Sequence, residues 1–240
     1  MSIRCYKTLS DITAIGFDLD DTLYDNAPVL HRAEQKLREH LAKYFPKTIG
    51  MTFQHWFEIR QLVVAKQPAL ANDVSLTRVK TLTRGLINLG YAQSAATDGA
   101  HTAMELFLTW RNTIDIPVET HQTLAKLATK FRLFAISNGN ASTTSLNLDQ
   151  YFEFALHPSI NIPMKPAGDL FTLAQHQLAL PSDQILYVGD HPIADIIGAT
   201  NANWQSCWFN PSKSRLNHRR NSLLLPTIEI SQLGDLAQLC

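Results

Sequence analysis

Asp18 and Asp20 stand i, i+2 apart where an apolar run breaks off: Ile15-Gly16-Phe17-Asp18-Leu19-Asp20-Asp21-Thr22-Leu23. Carboxylates that close repel and shift each other's pKa unless a cation or a proton shares the site. The pattern predicts one carboxylate on a metal and another free for proton transfer, with the Thr22 hydroxyl beside them. Further polar groups follow apolar runs or precede helical ones. They are Ser137-Asn138-Gly139-Asn140, then Lys165-Pro166, then Gly189-Asp190 with Asp195 five residues beyond Asp190.

The elements that must position these groups follow from apolar periodicity. Residues 12–19 read as a short buried strand. From Pro28 to Arg111 the pattern is helical: Leu30, Ala33, Leu37 and Leu41 share one face, and Val79, Leu82, Leu86 and Leu89 another, closed by Gly90. Phe53, Trp56, Phe57 and Arg60 mark one more helix, and Ala103, Leu106, Phe107 and Trp110 the last. Four such helices make a bundle. After Ile116-Pro117 strands and helices alternate: helix 119–129, strand 133–136, a short helix near 142–149, strand 152–156, helix 167–179, strand 185–188, helix 192–201, and strands 205–209 and 227–230. That alternation predicts an α/β fold, a Rossmann-like doubly wound parallel sheet with a helical bundle inserted after its first strand. All strand ends of a parallel sheet face one edge, where ligands of open α/β sheets bind, so the polar groups converge.

Composition excludes several classes. With 45% apolar and 18% charged residues the chain is globular. Lys+Arg and Asp+Glu both count 21, so no global field favours nucleic acid. The run from Lys213-Ser214-Arg215 to Arg219-Arg220 reads as a solvated loop. Cys5, Cys207 and Cys240 have neither disulfide-framework nor zinc spacing, no stretch reaches the ~18 apolar residues of a membrane helix, and the N-terminus has no apolar leader. A cytoplasmic protein, monomer or homodimer, with no nucleic acid or membrane partner is expected.

A strand ending D-x-D-x-T, a strand ending in Ser, a Lys, and a strand ending G-D-x-x-x-x-D, in this order, resemble the haloacid-dehalogenase-like (HAD) superfamily of aspartate-nucleophile hydrolases. The resemblance covers about 12–24 and 117–230 and implies a catalytic core of 1–24 and 117–240 with a helical cap of 25–116. It implies Mg2+ on the Asp18 carboxylate, the Asp20 backbone carbonyl and Asp190, with Asp195 a further ligand or an orienting group. Asp18 would attack phosphorus, and Asp20 would protonate the leaving alkoxide and then deprotonate water. Ser137 and Asn138 would hold phosphoryl oxygens, Lys165 would offset the negative charge, and Thr22 would fix the loop and its phosphate contacts. A phosphate dianion ~4 Å from a carboxylate is repelled by roughly 8 kcal/mol at an effective dielectric of 20, which is why such a site needs cations.

Asp20 discriminates within the superfamily, because a halide leaving group needs no acid whereas an alkoxide does. Lys36, Lys43, Lys66 and Lys80 all read as solvated helix positions, which leaves no cap lysine for a Schiff base. The stretches Phe17–Asn26, Ser137–Ala141 and Tyr151–Phe154 resemble the bacterial branch that dephosphorylates flavin mononucleotide and 5-amino-6-(5-phospho-D-ribitylamino)uracil, on the riboflavin pathway. Sugar phosphates or nucleotides, a phosphomutase, and a silent binding protein remain the alternatives. Tyr24, Asp25 and Asn26 are the best placed to meet the leaving group; Trp56, Phe57, Tyr44 and Trp110 sit at core spacing. His191 is the one departure, read either as near the metal or as a helix N-terminal residue facing water. His121 and His157 read as structural, and Ser142, Thr143 and Thr144 as capping residues.

Overall fold

A computed structural model describes residues 3–213 and 225–240. The basic segment beyond Lys213 lies outside the described residues. In chain order the elements are β1 (Arg4–Cys5), β2 (Ala14–Phe17), α1 (Ala27–Tyr44), α2 (Phe53–Lys66), α3 (Val74–Asn88), α4 (Gln93–Arg111), α5 (Val118–Ala128), β3 (Arg132–Ile136), β4 (Ala155–Leu156), α6 (Asp169–Leu178), β5 (Ile185–Gly189), α7 (Gly198–Asn201), β6 (Gln205–Phe209) and β7 (Ile228–Ile230).

The strands form one sheet in the order β1-β7-β6-β5-β2-β3-β4. Every pairing is parallel except β1 against β7. β2 is an interior strand, with Phe17 opposite Ala135 of β3 on one side and Val188 of β5 on the other. Its four residues, Ala-Ile-Gly-Phe, are all buried, the continuous apolar signature of a strand covered on both faces. Helix α6 covers part of the sheet through Leu170, Phe171, Ala174 and Leu178, which join Phe134, Tyr187 and Trp204 in one apolar cluster.

Contacts divide the chain into two compact units, Met1–Asp25 with Asp115–Pro158 and Ile162–Cys240, and Asn26–Ile114 with Ser159–Asn161. The second unit is a four-helix assembly. α1 buries Val29, Ala33, Leu37 and Leu41, spaced to lie on one stripe. Ala33, Leu37 and Leu41 of that stripe meet Leu82 and Leu86 of α3 and Ala100, Met104 and Phe107 of α4 in a single cluster. Burying each leucine contributes roughly 1.5–3 kcal/mol, so this core, not helix propensity, holds the bundle. α2 starts on a capping box: Thr52 Oγ1 accepts from His55 N, and His55 Nδ1 accepts from Thr52 N.

Several expectations are corrected. Residues 143–147 form successive turns instead of a short helix, because Asn147 takes a left-handed φ of 55° that stops propagation. The strand at 152–156 shrinks to Ala155–Leu156. The helix over 192–201 begins as a π-helical turn, Pro192–Ile197, before α7. Tyr44 and Phe57, placed at core spacing, are exposed, while Trp56 packs over Gly85. Among the described residues no helix is long and apolar enough to cross a membrane.

Candidate active site

The C-terminal ends of β2, β3 and β5 bring the sequence-singled residues together. Asp18 leaves β2 with its amide still paired to Val188 O (2.9 Å) and its side chain nearly buried. The chain then turns tightly: Leu23 N donates to Leu19 O (2.9 Å), and Asp21 adopts φ 59°, a conformation Asp tolerates better than most residues. Thr22 is buried in this turn, and its hydroxyl lies 3.5 Å from Asp190 Oδ1.

Lys165 is the electrostatic centre. Its ammonium, fully buried, donates to Asp18 Oδ1 (2.8 Å), Asp195 Oδ1 (2.7 Å), Ile136 O (2.8 Å) and the Tyr187 hydroxyl (2.7 Å). Four acceptors surround three protons, so the charge is locked in place. Tyr187 in turn donates to Ile136 O (2.6 Å). The two carboxylates hold the Lys165 pKa well above its usual value against the effect of burial.

The backbone of Lys165 is fixed by Asn138. Asn138 Nδ2 donates to Lys165 O and Lys165 N donates to Asn138 Oδ1, both at 2.8 Å. The Asn138 side chain, assigned from the sequence to a phosphoryl oxygen, is therefore occupied at both ends in holding the lysine loop. Ser137 Oγ accepts from Gly139 N (3.1 Å). A Cβ at Gly139 would sit 2.3 Å from Asp20 Oδ2, so only glycine leaves room for that carboxylate here. Asp20 Oδ1 accepts a 2.6 Å hydrogen bond from Tyr24.

At the end of β5, the motif G-D-x-x-x-x-D has a direct physical reading. Asp195 comes back over the strand through the π-helical turn and occupies the space a Cβ at Gly189 would need, 2.3 Å from the Asp195 carboxyl carbon. Asp195 Oδ2 also accepts from His191 N (2.9 Å). The His191 ring caps the turn, Nδ1 accepting from Ile193 N (3.2 Å) and Ala194 N (3.0 Å). Trp208 Nε1 donates to Asp190 O (2.8 Å), anchoring the loop from β6. His121 contacts the Tyr151 hydroxyl (3.1 Å) and His157 the Gly139 carbonyl (3.0 Å).

Carboxylate oxygens of Asp18, Asp190 and Asp195 lie within 4.8 Å of one another. The Lys165 ammonium pairs with two of these carboxylates, Asp18 and Asp195, and burial and crowding show in the titration of Asp18 and Asp190. Burial, with Asp195 and Asp20 adding to it against the pull of Lys165, pushes Asp18 up to about 8. Burial and then Asp195 raise Asp190 to about 6. A hard divalent cation fits this all-oxygen set and would relieve the excess charge. The Asp20 carboxylate is not in this group; it faces Tyr24 and Gly139. Sequence reasoning missed Tyr187, Trp208 and the Asn138 brace, whose signals are ordinary strand and loop residues.

A family model described as haloacid dehalogenase-like hydrolase matches residues 12–203. The chain is 38% identical over 237 residues, 99% of its length and all of the relative's, to the Escherichia coli (strain K12) protein named 5-amino-6-(5-phospho-D-ribitylamino)uracil phosphatase YigB. It is 24% identical over 227 residues, 84% of this chain and 83% of the other, to the glyceraldehyde 3-phosphate phosphatase of Pyrococcus abyssi (strain GE5 / Orsay). Among solved structures, one described as a 2-haloacid dehalogenase from Pseudomonas syringae pv. Tomato DC3000 superposes with a TM-score of 0.90 at 35% identity, covering 95% of this chain and 97% of that one. The HAD-hydrolase YfnB from Bacillus subtilis, at TM-score 0.66 and 19% identity over 96% and 99% of the two chains, shares the fold.

Proposed function

The chain belongs to the haloacid dehalogenase-like hydrolase family, and from that we propose that it is a magnesium-dependent phosphatase acting through an aspartyl-phosphate. The observation that carries the reading is Asp20, a second carboxylate two residues beyond Asp18 and outside the metal-competent group. A halide departs as a stable anion and gives such a carboxylate nothing to do; an alkoxide must be protonated as it leaves. The relative named as a dehalogenase supports the alternative, and release of chloride from 2-chloropropionate tests it.

In this reading Asp18, Asp190 and Asp195 would hold Mg2+, which supplies positive charge to substrate and nucleophile when bound. Asp18 attacks phosphorus in line. As the ester P–O bond breaks, Asp20 delivers its proton to the departing oxygen. Asp20 then takes a proton from the water that attacks the same phosphorus, and the Asp18–phosphorus bond breaks to release phosphate. Lys165 pairs with both Asp18 and Asp195, offsetting their mutual repulsion, and keeps Asp18 oriented. The Ser137 hydroxyl offers a donor to phosphoryl oxygens, and Thr22 steadies the turn. We take 1–24 and 117–240 as the catalytic core, 25–116 as the cap, and the cytoplasm as the location.

For the substrate we favour 5-amino-6-(5-phospho-D-ribitylamino)uracil, with flavin mononucleotide second. Support comes from the full-length relative of that name and from a cavity of about 710 Å3 beside Thr22 and Asp190, bounded by Tyr24, Glu119, Asn210 and Gln232. Its polar side chains suit a polyhydroxylated chain. The test is phosphate release from both compounds beside sugar phosphates and nucleotides, with Mg2+ and with chelator. Metal-dependent release favouring the two ribityl phosphates is expected. Equal rates on all would remove the substrate assignment, and chloride release without phosphate release would remove the phosphatase.

A further inference from the structure

We propose that Tyr24 is a positioning residue for proton transfer, holding the Asp20 carboxylate in the single orientation that acid and base steps both need. The inference rests on the phosphatase reading, in which Asp20 moves the protons.

The geometry constrains both oxygens of that carboxylate. Tyr24 is buried, 5% exposed, and its hydroxyl donates to Asp20 Oδ1 at 2.6 Å. The two residues are also joined through their backbones by an isolated parallel bridge across the turn. The left-handed Asp21 makes that turn tight enough for a side chain four residues on to fold back onto Asp20. On the other side, Oδ2 rests against Gly139, where a Cβ would be 2.3 Å away. Gly139 is itself held, its amide donating to Ser137 Oγ at 3.1 Å and its carbonyl 3.0 Å from His157 Nδ1. One carboxylate oxygen is thus engaged by a phenol, and the other packs against a glycine that is itself pinned.

A buried tyrosine ordinarily finds some acceptor for its hydroxyl, so the bond alone does not assign a role. What does is the pairing of this donor with Asp20, a carboxylate outside the metal-competent group, whose rotation would carry its proton away from the leaving oxygen. Proton transfer tolerates little misplacement, since donor and acceptor must come within about 3 Å.

The experiment compares two leaving groups in Tyr24→Phe, Asp20→Asn and the double variant. An alkyl phosphate, the fastest of the panel above, needs the acid; p-nitrophenyl phosphate, whose phenolate leaves unaided, does not. In Tyr24→Phe, kcat/KM for the alkyl phosphate is expected to fall about 10- to 100-fold while that for p-nitrophenyl phosphate changes less than about threefold. In the Asp20→Asn background the Tyr24→Phe change is expected to cost nothing further. Gly139→Ala, which displaces the same carboxylate from its other oxygen, is expected to give the same leaving-group signature with Tyr24 intact. Equal losses on both leaving groups, or losses that multiply in the double variant, overturn the proposal. Undiminished alkyl phosphate turnover in Asp20→Asn would instead overturn the assignment of Asp20 as the acid, on which the proposal rests, and absence of phosphate release from the parent would overturn the phosphatase reading.

Discussion

Replacing Lys165 by methionine keeps the length and apolar volume of the side chain and removes the ammonium alone. Two ion pairs go with it, to Asp18 at 2.8 Å and Asp195 at 2.7 Å, both inside the molecule. At an effective dielectric of 20 each pair carries about 6 kcal/mol of attraction, largely offset by the cost of burying the ammonium. Removing one partner of such a cluster typically costs about 3–5 kcal/mol, because the other charges stay buried without it. The deficit is also expected to depend on pH. Asp18 stands at about 8 in the folded protein against 3.8 for the free group, with Lys165 pulling it down against burial. Between those values the folded state binds the proton and the unfolded state does not, so the stability this group contributes falls as pH rises. In the parent that fall ends near pH 8. In Lys165→Met it continues to higher pH, widening the deficit by up to ~1.4 kcal/mol per unit above pH 8. Urea unfolding of both proteins in chelator at pH 6, 8 and 9 measures it. A deficit below ~1 kcal/mol, or one that shrinks as pH rises, would refute the account of the cluster.

Asn138→Asp keeps the acceptor for Lys165 N but sets a carboxylate against Lys165 O; a loss of about 1–3 kcal/mol and a lower kcat are expected, and a parental kcat would show the lysine loop is held otherwise. Mg2+ must displace protons from Asp18 and Asp190, which stand at about 8 and about 6. Its affinity should therefore rise by up to ~tenfold per unit from pH 6 to 8, with proton release in calorimetry across two buffers; a flat affinity would count against the site. His191→Ala removes the acceptor for Ile193 N and Ala194 N but leaves the backbone amide on Asp195. About 1 kcal/mol of stability, read as a Tm lower by ~2–4 °C, should go with little change in phosphate release. A tenfold weaker metal affinity in that variant would place the ring at the metal.

Strands that end in polar groups were legible because a parallel sheet presents all its C-terminal ends at one edge, so order along the chain translates into proximity. Asp18, Ser137 and Asp190 stand at one edge for that reason, and Asn138 draws the Lys165 loop to them. The short helix near 142–149 failed because Ser142 to Asn147 favour local turns, and one left-handed residue outweighs a weak helical pattern. In α2 apolar residues fall on more than one face, Phe53 and Phe57 on one and Trp56 and Ile59 on others, so periodicity could not say which is buried. β1 is two exposed residues whose partner, β7, is more than 200 positions away, beyond the reach of any local pattern. The π-helical start at Pro192 has no propensity signal either; Asp195 sets it through contacts with Lys165 and His191 N. Asn138 and Tyr187 look like turn and strand residues because their partners are remote, 27 and 22 positions away from them at Lys165.

The fit of Asp195 into the space left by Gly189 has a historical consequence. A side chain at 189 can be tolerated only once the carboxylate at 195 has been lost or moved, whereas a lost carboxylate at 195 leaves glycine at 189 with nothing to accommodate. Substitution therefore has a direction. In any lineage of such chains the acid should disappear first and the glycine drift afterwards, so a chain with glycine but no acid would record a recent departure from this chemistry. One with neither would record an old departure.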